Sequence, residues 1–477
     1  MKGHAKIELT EVSTGKKKVI EHNNMITNAL SEYVKPVGFT GYTPLQYCKN
    51  FGMFNILFGG LFLFDSAIEE DANIMYLPKG IKCVGRGSDI AYSGADTSLG
   101  TFNSVESGFD ENGDYKMVWD FTTSQANGTI AALSLTSEHA GRIGLYCDAY
   151  VTDIGNPKQS FMSSNTYTPM KQTAKNYYYE SIAFIDGDYV YFPRYYNFMW
   201  NAYYADTHMK NTGSLSLVRV KMPVNNIVYS NAVYSSDTDF REEIIDIPLP
   251  TDIMEKITIV QNVAGSISFD GRYMYVFLSQ QNTSIAADEE IKILKVDFRN
   301  NFSTEVISFK NTTNDALHIW SYKNGFHGYA NPVFMVDGYF VCANSSRNKL
   351  YRIKMSDPTD VAEINMEGSP NWQTGNVIKF IGKICEGILV VLNGQYAHAI
   401  DLDSWTCKSS LLRSNCDVGY VTIATISEDY SKILYSNKTY FGIEKNPFYL
   451  ATINNLTEPV IKTSAHTMKI TYTLTEE

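Results

Sequence analysis

Charge is sparse in this chain, and positive charge is sparser still. Of 477 residues, 19% are charged, with 40 Lys and Arg against 51 Asp and Glu, for a formal net charge of −11. That balance argues against nucleic acid or an anionic membrane as the main partner. Metal-binding spacing is missing too. The seven cysteines (48, 83, 147, 342, 385, 407, 416) form no C-x-x-C and no Cys/His pattern, so neither metal nor cofactor is expected. Their odd number and scatter suit synthesis in a reducing cytoplasm. Cys342 and Cys385 fall in expected core strands, where a thiol packs as a small hydrophobe. Long apolar runs are absent: Phe51–Phe64 is uncharged but only 14 residues long and carries three glycines. A spanning helix needs about 20 residues, so no membrane insertion is expected. Lys2 is followed by Gly-His-Ala-Lys rather than an apolar run, so no signal peptide is expected.

Catalytic signatures are equally thin. There is no G-x-S-x-G elbow and no H-E-x-x-H, which leaves an activated serine or a zincin site without support. Ser268-Phe269-Asp270-Gly271 lacks the spacer and Trp of a sialidase-type Asp box and reads as a hairpin turn. Asp110-Glu111-Asn112-Gly113-Asp114 has the composition of a calcium loop without its spacing or terminal Glu, and reads as a solvated turn. The chain is read as a non-enzyme.

What is abundant is aromatic: 33 Tyr and 25 Phe, which favour strands and broad contact surfaces. Gly265–Phe298 shows the underlying grammar. Ser266–Phe269, the turn Asp270-Gly271, Tyr273–Leu278, a polar insert and alternating Ile291–Phe298 predict three strands, because Gly accepts positive φ in a tight hairpin and period-2 alternation marks a half-buried strand. Ser303–Phe309 would be the fourth. Similar units begin at Ser181–Phe192, Asn331–Ala343, Val377–Leu392 and Val421–Tyr435, with turn glycines at 187, 271, 338 and 387. In the unit beginning at Asn331 the fourth strand is expected at Val361–Met366, and in the fifth unit the third and fourth strands are expected at Phe448–Ile453 and Glu458–Lys462. Five visible four-stranded repeats predict an all-β fold, a β-propeller over 176–467. Its long polar insertions should lie on one rim.

A β-rich base is expected over 1–155, followed by a polar linker at 156–175. Ala5–Val12 and Lys16–Ile20 predict a hairpin with a basic edge, and lysines on an edge strand oppose unwanted pairing. Asn23–Val34 predicts a short helix. Val118–Leu135 predicts a hairpin about Ala126-Asn127-Gly128. Residues 468–477, MKITYTLTEE, alternate strictly, with Ile470, Tyr472 and Leu474 on one face. They are expected to return and pair with Lys6–Val12, completing the base.

The candidate contact residues are aromatic. Tyr191–Tyr204 reads YFPRYYNFMWNAYY and contains Arg194, Tyr195, Tyr196, Trp200 and Tyr203. Rings beside guanidinium and amide groups suit a saccharide or protein ligand. They would equally seal the ring closure or the contact with the base. Trp320 and Trp372, between repeats, either share that binding face or pack between blades. His318 and His327 flank Trp320 and Tyr322, and His327 is retained among the candidate ligand contacts. An acid–base pair of these histidines is the chemistry a glycan lyase would need.

The segments KIELTEVSTGKKKVIEHNNMITNAL (6–30), LFGGLFLFD (57–65), WDFTTSQANGTIAALSLTSEHAG (119–141) and KTSAHTMKITYTLTEE (462–477) together resemble tail-associated structural proteins of phages and prophages of gut Gram-positive bacteria. The resemblance covers roughly the first third and the end of the chain. It implies a virion tail-tip, baseplate or receptor-binding component. Its partners would be other tail proteins and a host-surface glycan or protein, in a homo-oligomer, by analogy a trimer. The alternatives are a propeller lyase or hydrolase acting on surface polysaccharide, and a purely structural baseplate part.

Overall fold

The computed structural model describes residues 2–34, 57–94, 96–143, 184–187, 189–193, 214–221, 242–251, 263–280, 284–318, 332–369, 372–376, 378–393, 396–411, 422–437 and 440–475. Among these the fold is all-β, as the alternation predicts, with two six-residue helices, Ala29–Val34 and Glu138–Ile143. No described helix is long and apolar enough to cross a membrane.

The base is two sheets packed face to face. In the first, Lys17–Asn23, Lys2–Glu11, His466–Thr475, Tyr115–Phe121 and Thr101–Phe102 lie in that order. In the second the order is Met25–Ile26, Thr452–Lys462, Gly128–Thr136, Gly60–Phe64 and Cys83–Gly87. Their inner faces share one core, with Ile7, Trp119, Ile470 and Tyr472 from the first sheet and Leu61, Leu63, Leu133 and Val460 from the second. Each such side chain removed from water contributes about 1.5–3 kcal/mol. His466–Thr475 runs antiparallel to Lys2–Glu11, with Ile7 opposite Ile470, and pairs on its other edge with Tyr115–Phe121. It is therefore an interior strand. Trp119 donates its indole N–H to Ser88 O at 2.9 Å. A Cβ on Gly87 would lie 2.6 Å from that indole ring, so the close approach requires glycine.

Residues 184–445 form a succession of antiparallel sheets. The first holds 184–186, 189–193, 214–221 and 242–248, and the second 263–269, 273–280, 290–297 and 303–310. The third is built on 333–336, 339–344, 350–354 and 361–363, the fourth on 378–385, 388–393, 396–401 and 406–411, and the fifth on 422–426, 432–437 and 440–445. The Asp270-Gly271 hairpin forms as expected, with Phe269 opposite Met274 and Gly271 at φ 103°. The leading strands of the second to fifth sheets contact one another in turn, and that of the fifth contacts that of the first. Apolar clusters fill the gaps between the first four sheets: Tyr191, Leu217 and Val276 between the first two, Phe277 and Phe340 between the next two, Val341 and Phe380 after them. Cys342 and Cys385 are fully buried, and burial pushes the Cys385 thiol up to about 12.

Several expectations are corrected. Val118–Leu135 is not a hairpin: its two strands belong to different base sheets, because each buries a face against the opposite one. The third strand of the fifth sheet is Tyr440–Lys445, not Phe448–Ile453. Glu458–Lys462 lies in the strand Thr452–Lys462, where Val460, Ile461 and Lys462 pair with Ile130, Thr129 and Gly128 of the base. Phe448, Leu450 and Ile453 are buried against Phe62, Phe64 and Ala132, which holds this segment in the base. The strand expected over Val361–Met366 breaks at Ile364, and Asn365–Gly368 pairs in parallel with the next sheet. The expected loop Gln280–Glu289 contains Ser284–Ile285, which pairs with Leu317–His318.

Candidate functional site

Strand direction alternates within each sheet, so the first hairpin turn of every sheet falls on one face. Each of these turns carries an acid: Asp186, Asp270, Asp337, Glu386 and Glu428. The base docks on the same face. Lys79 of the base lies 3.6 Å from Asp337, its backbone N–H donates to Glu386 at 3.4 Å, and the rings of Tyr76 and Tyr430 meet at 5.9 Å.

A cavity of about 430 Å³ opens among these turns, bounded by the second to fifth sheets. Its polar groups are Asp270, Arg272, Asp337, Lys383 and Glu428, set beside the rings of Tyr273, Tyr275 and Tyr430. Asp270 is held by its own turn. One carboxylate oxygen accepts N–H groups of Arg272 and Tyr273 at 3.0 and 2.7 Å, and the other accepts the Tyr275 hydroxyl at 3.0 Å. Burial outweighs these bonds and raises the Asp270 carboxyl above its ordinary value. Burial, then the neighbouring Asp270, push the Tyr275 hydroxyl well above the usual phenol range. Lys383 donates to Asp337 at 2.8 Å. Burial opposes its charge, but Asp337 and Tyr430 more than offset that and raise its pKa. Arg272 grips Asp297 through two bonds, at 2.9 and 3.4 Å, and lies over the Tyr273 ring at 4.7 Å. Glu428 pairs with Arg299.

Every carboxylate of the cavity is thus engaged by a donor. Aromatic rings alternating with fixed polar groups fit a polar ligand with apolar faces, such as a saccharide. Sequence reasoning treated Asp270 only as a turn residue and did not select Tyr275, Asp337, Lys383 or Tyr430. The available signal was the acid standing at the first turn of every repeat.

The opposite face is where the last strand of one sheet ends and the first strand of the next begins. Arg194, Tyr195, Tyr196, Trp200, Tyr203, Trp320 and His327 lie outside the described residues; the tyrosine-rich stretch follows the strand Tyr189–Pro193, which ends on this face. His318 sits in a short buried strand beside Ala343. Trp372 is half-buried on this face, between the third and fourth sheets. Its indole donates to Arg347 O at 2.8 Å and its ring meets His398 edge-on at 4.8 Å. His398 is fully buried, and burial lowers its pKa to about 3, which keeps it neutral. Among the described residues no cluster of three or more His, Cys, Asp or Glu could hold a metal ion. The acidic turn at 110–114 is closed by Asp110, which accepts the N–H groups of Asn112 and Asp114.

No family model and no curated protein matches the chain. Among solved structures it is similar to a glutaminyl cyclase of Myxococcus xanthus, at 7% identity and TM-score 0.30, over 59% of this chain and 93% of that one. It is similar to the GH43 protein BlXynB of Bacillus licheniformis, at 9% identity and TM-score 0.31, over 63% and 60%. It is also similar to an auxiliary nutrient binding protein of Bacteroides thetaiotaomicron, at 7% identity and TM-score 0.29, over 75% and 94%. At such identities and TM-scores no chemistry transfers to this chain.

Proposed function

We propose that residues 184–445 form a five-bladed β-propeller, and that the protein is a tail component of a phage or prophage of a Gram-positive gut bacterium. In this reading the sandwich attaches to other tail proteins in the virion and the propeller contacts a glycan or protein on the host surface. The observation that carries it is the connectivity. Both ends of the described chain interleave in one sandwich, and the sheets of 184–445 lie between them in sequence and dock on it by one face. The opposite face is then free to meet a host. Weak sites repeated on a symmetric tail, by analogy a trimer, gain strength through effective concentration. The segments at 6–30, 57–65, 119–141 and 462–477 supply the tail resemblance.

Adhesion is preferred to cleavage in this reading because each carboxylate of the cavity is engaged by a donor. One observation favours the glycan-cleaving alternative: Asp270 is buried beside Tyr275, with its carboxyl shifted toward the protonated form. Incubating the purified protein with host-wall polysaccharide separates the readings. Retention on the polymer without new reducing ends supports adhesion. Released oligosaccharides would replace it with an enzyme, and neither result would leave a structural baseplate part.

A further inference from the structure

One arginine without an ion pair among the described residues carries one more step, which rests on the adhesion reading above. Four of the described arginines in the sheets of 184–445 have carboxylate partners: Arg219 with Glu243, Arg272 with Asp297, Arg299 with Asp186, and Arg352 with Asp360. Arg347 is different. Its Nε is buried with no hydrogen-bond partner, and no ion pair is formed to it among the described residues. Burial alone acts on its guanidinium and lowers its pKa, without a compensating charge. Arg347 as a whole is half-buried; withdrawing part of an unpaired charge from water carries a cost, and an arriving anion would recover some of it.

The backbone is also held in an uncommon shape. Arg347 has φ 56°, in the left-handed region that Asn or Gly adopts more readily. Its N–H donates to Asn344 O at 2.8 Å, and its carbonyl accepts the Trp372 indole N–H at 2.8 Å. One hydrogen bond therefore holds the Trp372 ring against the backbone of Arg347. Below the ring, neutral His398 meets it edge-on and hydrogen-bonds through Nδ1 with Ser369 Oγ at 3.3 Å. Lys349, two residues on, is already paired with Asp315 and Glu363.

We infer that Arg347 and Trp372 form a subsite for an anionic saccharide, with the guanidinium taking a carboxylate or phosphate and the indole stacking on the sugar ring. Arg suits this task because its planar fork matches both oxyanions.

The test uses the full chain and three polymers: polygalacturonate, poly(glycerol phosphate) and neutral dextran. Wild type is expected to bind at least one of the two anionic polymers, more weakly at high salt, and not dextran. The polymer that binds tells carboxylate from phosphate. Arg347→Asn, which suits the left-handed backbone and keeps the fold, should weaken binding about ten-fold or more, and Arg347→Lys should restore part of it. Wild type that binds neither anionic polymer, or Arg347→Asn that binds like wild type, overturns the subsite. Host cells form a separate arm. Equal cell binding by wild type and Arg347→Asn leaves adhesion standing and removes the subsite. Arg347-dependent polymer binding without any cell binding keeps the subsite and removes the host-adhesion reading.

Discussion

Arg299 Nη2 lies 3.3 Å from Asp186 Oδ1, so a turn of the second sheet is tied to the first hairpin of the first sheet. The same guanidinium pairs with Glu428 of the fifth sheet. One side chain thereby links the first, second and fifth sheets, on the face that meets the base. Arg299 is 49% exposed, so the pairs are screened and worth about 0.5–1 kcal/mol together. Arg299→Ala should lower the urea midpoint slightly, by less in high salt, and speed amide exchange in 184–186 and 422–426. Unchanged exchange in both strands would show that the ring closes without this clasp.

Gly271 should tolerate no side chain. Its φ is 103°, and an added Cβ would lie 2.4 Å from Glu428 Cβ and 2.6 Å from its Cα. Gly271→Ala combines backbone strain with overpacking, at a cost of about 1–3 kcal/mol. Thermal melting of the variant is the measurement, and a midpoint equal to wild type would contradict the close contact of these two turns.

Ile470 is fully buried in the interior strand of the base. Ile470→Ala should cost about 2–5 kcal/mol through lost burial and the cavity left behind. Amide exchange should rise first in Gly60–Phe64 and Gly128–Thr136, while Tyr273–Gln280 and Glu290–Asp297 stay protected. Loss of protection confined to the latter pair would contradict the placement of this strand.

The base should lose stability as pH rises through neutrality. Burial first, and then the neighbouring Asp89, push the Glu138 carboxyl from 4.5 up to about 7. The folded state therefore holds a proton that the unfolded chain releases near its ordinary value. That contribution is complete below about pH 4.5 and is lost as pH climbs through about 7. The Glu138 side chain also hydrogen-bonds Asp89, and Glu138→Gln keeps a donor there without the charge. The variant should flatten the stability profile between these limits and exceed wild type at pH 8 in urea titrations. Parallel profiles for the two proteins would dismiss the pair.

Local signals determined much of the fold. The Asp270-Gly271 hairpin, the alternation of Ile291–Phe298 and the single buried face of Ile470, Tyr472 and Leu474 were all legible, because turn chemistry and period-2 burial act within a few residues. Tertiary structure decided what those signals leave open. Whether Val118 and Leu135 face each other or lie in opposite sheets depends on which surface buries them. Thr452–Lys462 has strand character in either location, and only packing of Phe448, Leu450 and Ile453 on Phe62 and Phe64 gives it to the base. The cavity was hidden for the same reason. Asp270, Asp337, Lys383 and Tyr430 come from four sheets and meet only when the sheets do. Of the aromatic candidates read from the sequence, Trp372 alone lies among the described residues. Its spacing gave no hint of the Arg347 carbonyl that holds it, since that hydrogen bond joins two sheets across a gap the sequence does not record.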